Sequence, residues 1–229
     1  MSLTSVVALT AAAAAGTILP IALPYRPTGQ YLIGNAHSTI QIEAFVDLFC
    51  GDARAEYFMW KGLKTDPTWN QSISEVGLRF HVLVEPFHPW SFTAAVGAQT
   101  AAAHSADAFF SFAEACWTNS GDFVQHWGDQ HYPLANLAEV QVVAKLSQFA
   151  VAAGLTETAF YNGMTNRSTA GGTNPWAVAR EAWKQAVARG AASSPWYFVN
   201  GVPYFAAGDA AHPGAQAWLS LIKQLVDKQ

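Results

Sequence analysis

The residues best equipped for chemistry in this chain are two thiols and a few histidines. Cys50 stands in Cys50-Gly51-Asp52-Ala53, after the apolar, β-branched run Ile40 to Val46 and before the helix formers Ala53, Ala55, Glu56, Met59 and Lys61. A thiol where a strand gives way to a helix meets unpaired backbone N–H groups and the positive end of the helix dipole. It is expected to ionise more easily than a free thiol and to act as a nucleophile. Asp52 works against that thiolate and Arg54 can offset it, so both are candidate site-lining residues. Cys116, in Phe112-Ala113-Glu114-Ala115-Cys116-Trp117, reads as a buried inert thiol. As a second thiol it could resolve Cys50 only if their Cα atoms came within about 7 Å. His88, beside Pro89, is a candidate groove-lining residue, with a packed or capping histidine as the plainer reading. His126, Asp129 and His131 match no metal-site spacing, so no metal is expected. No phosphate-binding glycine loop and no Gly-x-Ser-x-Gly is present.

These residues need a scaffold. Ile40 to Val46 reads as a buried strand and the Cys50 helix should run to about Lys64, before the turn signal Asp66-Pro67. A short strand around Tyr31-Leu32-Ile33 precedes them, Asn70 to Val76 offers a helical turn, and Leu78 to Val84 reads as a strand parallel to the first. From Ser91 to Gly190 only helices are expected: Ser91 to His104, Asp107 to Thr118, Leu137 to Ala153, Thr156 to Met164, and Pro175 to Arg189. The strand Trp196 to Val199 then turns at Asn200-Gly201 into Pro203-Tyr204-Phe205-Ala206, and a last helix spans Ala215 to Val226. The fold class is α/β: a mixed sheet of about four or five strands, flanked by helices, with an all-helical insertion.

Four stretches, in order, carry a resemblance: Ile33 to Cys50; Phe87-His88-Pro89-Trp90-Ser91 with the alanine-rich run that follows; Ser194-Pro195-Trp196-Tyr197-Phe198-Val199-Asn200-Gly201; and Ala215 to Val226. Together they resemble the DsbA-like branch of the thioredoxin superfamily over roughly residues 30 to 229. The resemblance implies a thioredoxin-like domain over 30–90 and 191–229, an inserted helical domain over 91–190, and an extension or signal segment over 1–29. It implies thiol–disulfide oxidoreductase or disulfide-isomerase-like chemistry at Cys50. It also implies a cis bond at Ser194-Pro195, whose exposed backbone would bind an incoming peptide or glutathione strand. Two departures stand out. Ala53 occupies the place of the resolving cysteine, and Ala44 the place where many relatives carry a buried proton-moving acid. A dithiol cycle within the motif is therefore excluded. What remains is a monothiol enzyme, with Cys50 resolved by an external thiol such as glutathione, or a redox-inactive module that binds peptides or proteins through the cis-proline groove.

Composition sets the bounds. With 229 residues, 51% of them hydrophobic and 12% charged, the chain can bury a real core. Its net charge of −4 and the lack of a basic run argue against nucleic acid. No bound cofactor is implied, glutathione entering only as a co-substrate. Two cysteines leave the redox compartment open. Residues 1–24 are apolar with a small-residue stretch but lack a basic start, so they read either as a signal segment, implying a secretory or periplasmic route, or as an extension packed on the domain. Gly16 and Pro20 interrupt the run before it could span a bilayer.

Overall fold

The computed structural model describes residues 29–123, 138–167, 174–204 and 213–228. Among them, β1 (Gln30–Ile33), β2 (Ile40–Val46), β3 (Val76–Val82), β4 (Trp196–Val199) and β5 (Val202–Tyr204) form one mixed sheet in the order β1-β3-β2-β4-β5. β2 and β3 run parallel, from Ile40 opposite Val76 to Val46 opposite Val82, and the other pairs are antiparallel. The crossover between β2 and β3 holds α1 (Gly51–Thr65) and the short α2 (Asn70–Ile73).

Strand alternation divides the sheet's side chains between two faces. Ile42, Ala44 and Val46 join Leu78, Phe80 and Val82 in the main core beneath α1 and α8 (Gly214–Val226), where Trp60 and Trp218 lie 4.9 Å apart. Phe45 and Phe198 face the other way, against Ala186 and Ala191. On that second face the buried Glu43 carboxylate meets Arg189 Nη1 at 2.8 Å, Arg79 Nη2 at 3.1 Å and His81 Nε2 at 3.2 Å. An ionic cluster thus ties the helix before Arg189 to the middle of the sheet.

Between β3 and β4 lie α3 (Ser91–His104), α4 (Ala106–Thr118), α5 (Glu139–Ala152), α6 (Glu157–Thr165) and α7 (Pro175–Ala188). Three of them start on side-chain caps: Ser105, Thr156 and Asn174 accept from the N–H of Ala108, Ala159 and Ala177. α3 is the hub, buried along most of its length, because alanine, glycine and small polar residues let neighbouring helices approach closely. At Gly97 a Cβ would stand 2.6 Å from Phe112 Cζ, in a ring with no exposure. Gly97→Ala gains about 1 kcal/mol of helix propensity but forces an overpacked core costing about 1–3 kcal/mol. A net loss is expected as a lower urea midpoint; an unchanged or higher midpoint would show that α4 yields freely.

The helices also reach the sheet directly, since Tyr57 of α1 packs on Trp117 of α4 and on Phe80 of β3. We propose that 30–90 with 191–229 and 91–190 are two parts of the chain's connectivity that share this one core. Element bounds differ in places from the sequence reading. β3 runs Val76–Val82 rather than Leu78–Val84, because Val76 and Gly77 pair with Ile40 and Gln41. Past Leu83, the N–H of Glu85 leaves the ladder for the Asp47 carboxylate. The Asn200-Gly201 turn is a true hairpin turn, with both residues at positive φ, and leads into β5 at Val202. No helix among the described residues is long and apolar enough to cross a membrane. Residues 1–24, the His126, Asp129 and His131 group, and Phe205-Ala206 lie outside the described residues.

Candidate functional site

Cys50 is the N-cap residue of α1, with extended backbone angles and a carbonyl that accepts the Arg54 N–H at 3.1 Å. It lies at the C-terminal end of β2, where β2 and the loop before β4 converge. The Ser194-Pro195 bond in that loop is cis. Cys50 Sγ donates to Ser194 O at 3.1 Å, so the thiol and the proline loop are in direct contact.

The expectation of an easily ionised thiol is not met. Cys50 is only 7% exposed, and its pKa is pushed up to about 11. Burial is the chief cause, and the nearby Glu85 carboxylate adds to it. The N–H groups of Ala53 and Asp52 pull the other way without overcoming it. The helix terminus is present, but taking a thiolate out of water costs more than its dipole returns.

Around Cys50 a polar network joins distant parts of the chain. Ser194 is 5% exposed and all its polar groups are engaged: Oγ accepts from Asp47 N at 2.7 Å, N donates to Glu85 Oε1 at 3.0 Å, and O accepts from Cys50. The backbone beside the cis-proline, expected to be exposed, is therefore buried and internally satisfied. Asp47, with no exposure, accepts from Phe49 N at 2.8 Å, from Glu85 N at 2.7 Å and from the Ser91 hydroxyl. Its carbonyl takes the Trp117 indole N–H at 3.0 Å, which anchors α4 behind the site.

His88 Nδ1 lies 3.1 Å from Asp47 Oδ1 and 3.6 Å from Glu85 Oε2. Burial works to lower the His88 pKa, but these two carboxylates outweigh it and raise it. Glu85 is raised as well, by burial first and by Asp47 second. Asp47, Glu85 and His88 lie close enough for one cation, yet the Asp47 oxygens are already filled by N–H and O–H donors. The arrangement is that of a hydrogen-bonded brace.

Of the residues singled out from sequence, Cys50, Ser194, Pro195 and His88 are brought together. Asp52 and Arg54 are exposed on the first turn of α1, with Asp52 adding to the negative charge felt by Glu85. Cys116 is fully buried in α4, and both cysteines are free. Sequence reasoning missed Asp47, Glu85, Ser91 and Trp117 as site residues. Only Asp47 left a local trace, as an aspartate whose carboxylate caps the N–H two residues on. A further buried acid, Glu56, accepts from Tyr197 Oη at 3.0 Å, and Tyr197 is the register partner of Ala44. Beside the proline loop, a mostly apolar cavity of about 370 Å³ is lined by Leu83, Val84, Pro86, Trp183, Val187 and Ala191, with Glu85 as its one charged lining residue.

No family model and no curated protein matches the chain. Solved structures do. A candidate protein-disulfide isomerase from Pseudomonas syringae matches with a TM-score of 0.62 at 16% identity, over 81% of this chain and 94% of that one. BdbD from Bacillus subtilis matches at 0.59 and 15% identity, over 87% and 97% of the two chains. The thiol-disulfide exchange protein alpha-DsbA2 from Wolbachia pipientis matches at 0.58 and 15%, over 88% and 87%.

Proposed function

We propose that this chain, whose fold is that of the DsbA-like branch of the thioredoxin superfamily, is a relative of the thiol–disulfide oxidoreductases that holds extended polypeptide without running a dithiol cycle. The observation that carries this reading is the placement of Cys50: a buried thiol whose Sγ lies 3.1 Å from Ser194 O, with the fully buried Ala53 where a resolving thiol would stand. A nucleophile must be an accessible thiolate, and the burial of this sulfur works against both. Polypeptide binding is supported by the mostly apolar cavity beside the proline loop and by the exposed Trp183 and Val187 that line it.

A second reading has one observation in its favour, the Ala53 and Asp52 N–H groups that act on the sulfur from the start of α1. In that reading Cys50, as thiolate, attacks one sulfur of a substrate disulfide. The other sulfur leaves and takes a proton, and an external thiolate such as glutathione then attacks the substrate sulfur of the mixed disulfide, bonding to it while Cys50 leaves as thiolate. The pH dependence of alkylation separates the two. With Cys116→Ser to remove the second thiol and Cys50→Ser as blank, iodoacetamide should react slowly, with a rate still rising beyond pH 9. A rate that levels off well below the free-thiol value of about 8.5 would support the monothiol enzyme instead, and a glutathione exchange assay would follow.

A further inference from the structure

Glu85 is a buried carboxylate that no sequence signal marked, and its placement is specific. It stands just past the end of β3, its own N–H held by Asp47, and its Oε1 reaches across to the N–H of Ser194 at 3.0 Å. The carbonyl of the same residue is taken by the Cys50 thiol at 3.1 Å. An extended peptide that pairs with this loop needs those two backbone groups, one as donor and one as acceptor. Here a side-chain carboxylate fills the place of a peptide carbonyl, and a thiol fills the place of a peptide N–H.

We propose that Glu85 is the positioning residue that shuts the strand-pairing edge at Ser194, and that an extended polypeptide enters by displacing its carboxylate. The inference rests on the polypeptide-binding reading and adds to it the residue that controls access. For Ser194 the exchange conserves hydrogen bonds, since the incoming strand supplies one acceptor and one donor, while the displaced Glu85 carboxylate and Cys50 thiol give up theirs. What it must overcome is the charge-assisted character of the Glu85 bond, which a neutral carbonyl lacks.

The groups facing Glu85 make that bond pH-sensitive. Asp47 at the end of β2 and Asp52 on α1 repel it, His88 attracts it, and Cys50 and Ser194 lie against it. Burial and Asp47 together raise its pKa, so protonation comes at a higher pH than for a free glutamate. Loss of the charge weakens the latch while leaving the fold's other bonds to Ser194 in place.

The test uses a fluorescein-labelled, cysteine-free peptide of about twelve residues that alternates valine with serine, titrated into the wild-type chain, Glu85→Gln and Glu85→Ala. Glu85→Gln keeps an acceptor but no charge, and should bind about tenfold more tightly at pH 7 than wild type. Wild-type affinity should climb as pH falls from 8 to 5, and the Glu85→Gln profile should be flatter. Exchange of the Ser194 amide, followed by NMR without peptide, should be slow in wild type and faster in Glu85→Ala, a readout independent of any ligand. Equal affinities and parallel pH profiles for wild type and Glu85→Gln would overturn the latch and leave polypeptide binding standing. Binding by none of the three would overturn both.

Discussion

Asp47→Ala is expected to cost about 3–5 kcal/mol of stability and to take the site apart. The Asp47 carboxylate has no exposure and serves three donors, Phe49 N, Glu85 N and the Ser91 hydroxyl, which lie on three different segments. Deleting it strands buried donors, each costing about 1–3 kcal/mol when left without a partner. Asp47→Asn keeps one acceptor oxygen and should fall between alanine and wild type. Urea unfolding gives the stability loss, and Cys50 alkylation in the same variants gives the geometry. Because Asp47 holds the Glu85 backbone, the thiol should become more reactive as the Glu85–Ser194 contact loosens. A loss under about 1 kcal/mol for Asp47→Ala would mean that water reaches these donors and that Asp47 is not the brace inferred from its bonds.

Glu43→Gln should produce the other large effect, on the opposite face of the sheet. Burial alone would raise the Glu43 pKa, but His81, Arg189 and Arg79 outweigh it and hold the carboxyl at about 2, against an ordinary 4.5. That difference corresponds to about 3 kcal/mol of stability from the ionised carboxylate. The folded value lies below the unfolded one, so the contribution is fully present above about pH 4.5 and is lost as pH falls through about 2. Glu43→Gln should therefore be less stable than wild type by about 3 kcal/mol at pH 6, with the gap closing through the acid range. The guanidinium of Arg189 lies 3.8 Å from the Phe198 ring centroid, so the variant also leaves a cation packed on an aromatic face with its carboxylate gone. A gap that stays constant from pH 6 down to pH 2 would assign the loss to packing rather than to charge.

Much of the scaffold could be read along the chain. The β-branched run Ile40 to Val46 became β2 with the bounds read from it, and α3 runs Ser91–His104 as read. Asn174-Pro175 started a capped helix, and Asn200-Gly201 turned a hairpin. These features depend on neighbours within a few residues, where propensity, capping and turn geometry act. The missing resolving thiol is local in the same sense, since Ala53 can be read directly beside Cys50.

The state of the site is not local. Whether Cys50 ionises depends on how much water α1, the proline loop and Glu85 leave around it, and a helix N-terminus next to a cysteine says nothing of that sum. The bonds that decide it join Asp47 to Glu85, Glu85 to Ser194 and Ser194 to Asp47, across 38, 109 and 147 residues of chain. The sequence by itself determined that no disulfide can form within the Cys50-Gly51-Asp52-Ala53 stretch, because a cysteine is either present or absent at a given spacing. Only the tertiary structure decided that the remaining thiol is buried against Ser194 O and that the Ser194 N–H is taken by Glu85, because burial and charge add over every group that folding brings near.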